Sequence, residues 1–195
     1  MKKLKLLLGV TGAISVSDII KYIIYLQNFF DIYVVMTESA TKLLPIQHLK
    51  YYCNQVYSDD IFQTEEVAHI ILSNEVDIVL VLPCTANTIS KIANGIADSL
   101  LSLICLSYSG IIHFFPSMNQ SMWENPILQD KVNYLLSKGH MFHNKVNQSY
   151  EVASKTIVVS EATLPTPKEV LKMILKSENK VYFNLKERKE TGVDV

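Results

Sequence analysis

Lys5-Leu6-Leu7-Leu8-Gly9-Val10-Thr11-Gly12-Ala13-Ile14-Ser15 is the stretch on which the fold turns. Up to Val10 it is nearly continuously apolar, as a strand is when helices cover both faces of a parallel sheet. It then breaks into small and hydroxyl residues ahead of a region, 16–30, whose apolar residues recur at helical spacing: Ile19, Ile20, Ile23, Ile24 and Leu26. Strand, tight turn and helix in that order open a βαβ unit. The first residues, Met1-Lys2-Lys3-Leu4, start like a secretory leader. Their apolar run is very short and leads into the glycine turn, so we read it as the first strand.

The same alternation extends outward. Ile32–Thr37, Ile78–Leu82 and Ile111–Phe115 read as further buried strands. Ile46–Tyr52 and Glu65–Leu72 read as short helices, and Ile89–Leu106 as a longer helical pattern interrupted around Gly95. Asn125–Lys138 is an amphipathic helix with Ile127, Leu128, Val132, Leu135 and Leu136 inward and Gly139 ending it. Pro167–Ser177 is another, with proline in its first turn. The expectation is one α/β domain: a doubly wound, Rossmann-like or flavodoxin-like parallel sheet with helices on both faces. It runs over 1–180, with 181–195 as a solvated tail of mixed charge. Only 144–166 lacks a strong helical period. It is either a lid or binding loop, or a β-hairpin arm built on Thr156-Ile157-Val158-Val159, and the two are compatible.

Composition narrows the function classes. Of 195 residues, 49% are hydrophobic and 19% charged, an apolar balance that points to subunit contacts and hence an oligomer. No apolar run reaches the roughly 18 residues of a membrane span. A net charge of −1 without a long basic block argues against nucleic acid. Cys53, Cys84 and Cys105 have no metal-ligand spacing; we read Cys53 and Cys105 as small buried hydrophobes, and the compartment as reducing and cytoplasmic.

Chemistry collects at the strand ends. Small residues in Gly9–Ser15 let the backbone approach a phosphate or simply make a tight turn, and Ser15 or Ser17 supplies a hydroxyl donor or a cap. Thr37 and Ser39 follow the second strand as phosphate donors or another cap. Pro83-Cys84-Thr85-Ala86-Asn87-Thr88 follows the third, with Asn87 or Thr88 available to cap. Three such ends describe a rim for a flat, phosphorylated ligand. Beyond the fourth comes Pro116-Ser117-Met118-Asn119-Gln120-Ser121-Met122-Trp123. Asn119 there can donate to a carboxylate without adding charge, beside an apolar wall; alternatively Met118, Met122 and Trp123 are core. His69, in Val67-Ala68-His69-Ile70, is either a core histidine or a proton-handling one. His140 and His143 fall on an expected edge strand or its exit.

Four motifs in order, Gly9–Ser15, Val67–Ile70, Pro83–Asp98 and Pro116–Trp123, give the chain its likeness. It resembles the flavin-dependent cysteine decarboxylases, and within them the peptidyl-cysteine decarboxylases of the epidermin and mersacidin type. The third motif approaches the family's Pro-Ala-Thr/Ser-Ala-Asn-Thr signature, with Cys84 in place of a smaller residue; the fourth fits Pro-x-Met-Asn-x-x-Met-Trp. The resemblance implies that Gly12 and Ser15 hold the phosphate of FMN, or of FAD, with Ser39 assisting; Thr37, from its place after the second strand, is a further candidate cofactor-binding residue. Thr85, Ala86 and Asn87 would lie against the isoalloxazine ring. His69 would be the catalytic proton-handling residue. Asn119 would bind the substrate cysteine's carboxylate, between Met118 and Met122, and 144–166 would contain the substrate clamp. It further implies a homo-oligomer, a trimer or dodecamer of trimers, with sites at subunit contacts.

Members that make phosphopantetheine carry a cysteine near the C-terminus that returns the ene-thiol to a thiol. Here no cysteine follows Cys105. The expected substrate is therefore the C-terminal cysteine of a ribosomally made precursor peptide, left as an aminoenethiol for an aminovinyl-cysteine ring of a lantibiotic-type product. Two other readings are a phosphopantothenoylcysteine decarboxylase of coenzyme A biosynthesis and a non-catalytic flavin-fold regulator.

Overall fold

The computed structural model describes residues 3–53, 55–60, 68–151 and 155–177. Strand β1 (Leu4–Val10) leads through a 3-10 turn (Ile14–Asp18) into helix α1 (Ile19–Leu26). Then come β2 (Phe30–Met36), α2 (Glu38–Leu43), α3 (Ile46–Leu49), β3 (Gln55–Ser58) and α4 (Ala68–Glu75). The second half runs β4 (Ile78–Cys84), α5 (Ala86–Ala93), α6 (Leu100–Ser107), β5 (Ile112–Pro116), α7 (Gln120–Trp123) and α8 (Pro126–Ser137). Last are β6 (Met141–Phe142), β7 (Asn147–Glu151), β8 (Thr156–Ser160) and α9 (Pro167–Ser177). Among these residues the main sheet has six strands, ordered β3-β2-β1-β4-β5-β6 and all parallel. The doubly wound expectation holds, and the order reverses between β1 and β4, where such sheets open a crevice at their carboxyl ends.

Strand side chains alternate between two cores. Leu6, Leu8, Val10, Val34, Met36, Leu80, Leu82 and Phe115 pack with α1 and α9 on one face. Leu7, Val35, Val79, Val81, Ile112 and Phe114 pack with α4, α5, α6 and α8 on the other. Because both faces are covered, β4 is buried from end to end. Leu80→Ala, in that central strand, should cost about 2–5 kcal/mol for lost transfer energy and a cavity. A lowered urea midpoint at unchanged m-value would show it.

Several elements differ from expectation. The Ile89–Leu106 pattern is two helices, α5 and α6, separated at Gly95, whose φ of +68° ends the first. In α8 the stripe facing inward is Leu128, Val132 and Leu135, while Ile127 and Leu136 are exposed. Those two sit one residue, about 100°, off that stripe, too far round to reach the core. Cys84 and Cys105 are buried, whereas Cys53 is only half-buried, with Sγ 3.0 Å from the Ile32 carbonyl oxygen. Residues 144–166 contain the antiparallel hairpin β7–β8. Residues 65–67 of the expected Glu65–Leu72 helix and the tail 181–195 lie outside the described residues.

The edge of the sheet carries a histidine pair. His113 is fully buried in β5, its Nδ1 2.8 Å from Nε2 of His143, which stacks on Phe115. Burial pushes the His113 pKa down to about 4, reinforced by His140, and burial and then His113 do the same to His143. Unfolded, each would titrate near 6.5 and bind protons first. Stability should therefore be complete above about pH 6.5 and fall as pH drops toward about 4. A melting temperature that falls through this window, less steeply in His143→Phe, is the expected result.

Candidate functional site

At the carboxyl ends of β1, β2, β3 and β4 the chain leaves a cleft of about 780 Å³. Gly12, Thr37, Ser39, Thr85, Ala86, Asn87 and Met122 all line it, so seven of the residues singled out from sequence converge. The turn after β1 is braced from below by Thr11, which is buried. Thr11 Oγ1 donates to the Pro83 carbonyl at 2.7 Å and accepts from the Thr85 amide at 3.0 Å. This ties the ends of β1 and β4 together across the switch point, just where Pro83 and a register shift interrupt the ladder of β4 with β5. The brace escaped the sequence reading because a threonine inside a turn motif looks like any small residue.

Gly12 lies against α2 so closely that a Cβ there would stand 2.5 Å from Ser39 Cβ and 3.1 Å from the Ser39 carbonyl carbon. Thr37 caps α2, accepting from the Ala40 amide. Thr85, rather than Asn87 or Thr88, caps α5 by accepting from the Thr88 amide, which leaves Asn87 to face the cleft. A hydroxyl that accepts in a cap still has its own proton to donate. Thr37 and Thr85 can thus cap and bind at once. The expected caps Ser15 and Ser17 are not used: the 3-10 turn starts at Ala13 without a side-chain cap.

The far wall was not visible in the sequence. Asp59, just after β3, accepts from the Leu101 amide at 2.6 Å, at the start of α6. Burial raises its pKa, opposed by the Leu101 and Ser99 hydrogen bonds. Asp60 and an Asp98–Lys91 ion pair of 2.7 Å stand nearby on the same wall.

Beyond β5, Ser117 Oγ lies 2.7 Å from Ser15 Oγ, joining the first turn to the Pro116–Trp123 segment. Ser15 itself is not in the cleft lining. Asn119 occupies the N-cap position of α7, exposed, and its side chain makes no cap hydrogen bond. The next cap, Asn125, does use its side chain, accepting from the Ile127 amide. One turn on from Asn119, Met122 reaches the cleft, half-exposed. Met118 is half-buried and packs on the core, and Trp123 is buried in it. His69 is half-buried in the first turn of α4, which packs on α6. It does not line the cleft of its own chain, and its neighbours Ile70 and Ile71 are exposed.

The model of the flavoprotein family matches residues 1–179. The chain is 34% identical to the epidermin decarboxylase of Staphylococcus epidermidis over 178 residues, covering 90% of this chain and 97% of that one. It is also 34% identical to the mersacidin decarboxylase of a Bacillus species over 158 residues, 80% and 81% of the two chains. Among solved structures, an EpiD variant complexed with the substrate peptide DSYTC superposes with a TM-score of 0.82 at 32% identity, over 89% of this chain and 99% of that one.

Proposed function

The chain belongs to the flavoprotein family, and from that premise we propose that it is a flavin-dependent peptidyl-cysteine decarboxylase. It oxidatively decarboxylates the C-terminal cysteine of a ribosomally made precursor peptide to an aminoenethiol, for aminovinyl-cysteine formation in lantibiotic-type biosynthesis. The observation that carries this is the position of Asn119: outside the cleft lining but one helical turn before Met122, which lines it, exposed, and with an amide that its own helix does not use.

The cleft suits a flavin. Gly12 leaves room only for backbone beside Ser39, and hydroxyl and amide donors from Thr37, Ser39, Thr85 and Asn87 converge with apolar Met36, Ala86, Ile92 and Leu101. Gly12 and Ser39, with Ser15 and Thr37, would hold the phosphate; Thr85, Ala86 and Asn87 would face the ring. FMN is the form we assign. A bound flavin supplies a two-electron acceptor for oxidation of the cysteine Cβ–S unit, which gives the electrons left by departing CO₂ a sink. Asn119 orients the carboxylate by neutral hydrogen bonds, and so does not oppose loss of that charge as an arginine would. His69 handles the proton at the cysteine sulfur, a task suited to an imidazole. Met118 and Met122 shape the pocket, and the hairpin β7–β8 clamps the peptide end.

His69 stands away from its own chain's cleft, next to exposed Ile70 and Ile71. A second copy covering that surface would bring His69 to a neighbouring cleft, so the working unit is a homo-oligomer, a trimer in our assignment. Free thiols at Cys53, Cys84 and Cys105 fit a cytoplasmic setting. No helix among the described residues is long and apolar enough to cross a membrane.

The test is a mass spectrum of synthetic cysteine-ending peptides incubated aerobically with the purified protein. A loss of about 46 Da, CO₂ plus two hydrogens, is expected from the flavin chemistry. Asn119→Ala should reduce the rate at least about a hundredfold, as loss of a positioning contact at the reacting group does. Loss of CO₂ alone would mean re-reduction and overturn the oxidative assignment. Consumption of phosphopantothenoylcysteine with all peptides untouched would move the chain to coenzyme A biosynthesis.

A further inference from the structure

The base of the β7–β8 hairpin is tied to α7, the helix that follows Asn119, through Gln120, which the family motif leaves variable, and Trp123, which it fixes. After β8, the Glu161 amide donates to Gln120 Oε1 at 2.8 Å. The Glu161 carboxylate accepts from Trp123 Nε1 at 3.3 Å, and the Met118 amide donates to the Ala162 carbonyl at 3.3 Å. Gln120 is held in that orientation because its Nε2 donates to Glu124 at 2.8 Å. The other stem of the hairpin is joined to the same point. The Lys145 amide donates to the Glu161 carbonyl at 3.1 Å, and Thr163 Oγ1 donates to the Lys145 carbonyl at 2.8 Å. Ala162 and Trp123 are buried in one core, so the junction rests on packed ground.

From this we infer that Gln120 and Glu161 are positioning residues that hold the hairpin in register with Asn119, so that one rigid unit reads the carboxylate and the residues before it. The inference rests on the peptide-decarboxylase reading. Neither residue touches the cleft. Their role is in peptide affinity rather than in the chemical step: an unlinked hairpin must be ordered each time peptide binds, which weakens binding.

The experiment uses the flavin-loaded protein and its single tryptophan, Trp123. Glu161→Ala should raise KM for a cysteine-ending pentapeptide about tenfold, with kcat within about twofold, the cost of ordering a linked segment on binding. Glu161→Gln, which keeps an acceptor for the indole N–H, should restore most of it. Gln120→Ala should act in the same direction, and the double variant should show less than the product of the two effects, since both belong to one junction. A matching peptide ending in serine should change Trp123 emission in the wild type and require about tenfold more peptide in Glu161→Ala. Unchanged KM and unchanged emission titration in Glu161→Ala, with an active wild type, would overturn the linkage and leave the reaction standing. A joint fall of flavin content, melting temperature and kcat would also overturn it, by showing a merely structural tie. A wild type that binds the serine peptide yet decarboxylates nothing would overturn the reaction, while the titration still decides whether Glu161 sets affinity.

Discussion

Gly12→Ala should yield protein that is folded but nearly colourless after purification. The added Cβ would stand 2.5 Å from Ser39 Cβ and 3.1 Å from its carbonyl carbon. The second of these contacts is with backbone and cannot be relieved by a rotamer change. Either the turn lifts or the start of α2 moves, and both carry the donors Thr37 and Ser39 away from the glycine turn. Overpacking of this kind costs about 1–3 kcal/mol. If that displacement falls on the bound state, flavin affinity drops roughly 5- to 150-fold. Flavin absorbance per chain and titration of the purified variant with FMN would measure it. Combining Gly12→Ala with Ser39→Gly removes the closer contact and should recover melting temperature, while flavin affinity stays low for want of the Ser39 hydroxyl. Full flavin occupancy at wild-type affinity in Gly12→Ala would show that the phosphate does not sit at this turn.

His69→Asn is expected to keep fold, flavin and peptide binding while kcat falls about 10²- to 10⁴-fold, the range for loss of a general acid–base group. The side chain is half-buried at the surface of α4, so a polar residue of similar size disturbs little packing. A kcat within tenfold of wild type would remove His69 from the reaction. The same variant tests whether the site spans two chains. Neither His69→Asn nor Asn119→Ala alone should turn over peptide at an appreciable rate. Co-expressed in equal amounts, they should recover about a quarter of wild-type activity if each cleft takes Asn119 from one subunit and His69 from the next, by chance pairing in a symmetric ring. If both came from one chain, mixing would recover nothing.

The large regular elements were legible because burial on both faces leaves a simple mark. β1, β2, β4 and β5 read as apolar runs, and α8 and α9 as periodic stripes with proline at one end. β3, one exposed and three half-buried residues with Gln55 and Ser58 at its ends, carries no such mark and does not read as a strand. Ile127 and Leu136 show the limit of periodicity: an apolar residue at the border of a stripe can fall on either side. Of the site, the residues on the turns after β1, β2 and β4 converge, since a turn at a strand's carboxyl end has only one place to be in this topology.

By itself the sequence determined the layered α/β architecture, the rim of small and hydroxyl residues, and the likeness that points to flavin and a cysteine carboxylate. These depend on local pattern and on motifs contiguous in the chain. Only the tertiary structure decided what depends on contacts between distant segments. Thr11 braces Pro83 and Thr85 across more than seventy residues, and Asp59 walls the cleft from β3 against α6. His113 finds His143, and Glu161 ties the hairpin to Gln120 and Trp123. No periodicity encodes such pairs, because each is a hydrogen bond of a single side chain to a distant side-chain or backbone group that the packing of the sheet and its helices brings within 3.5 Å.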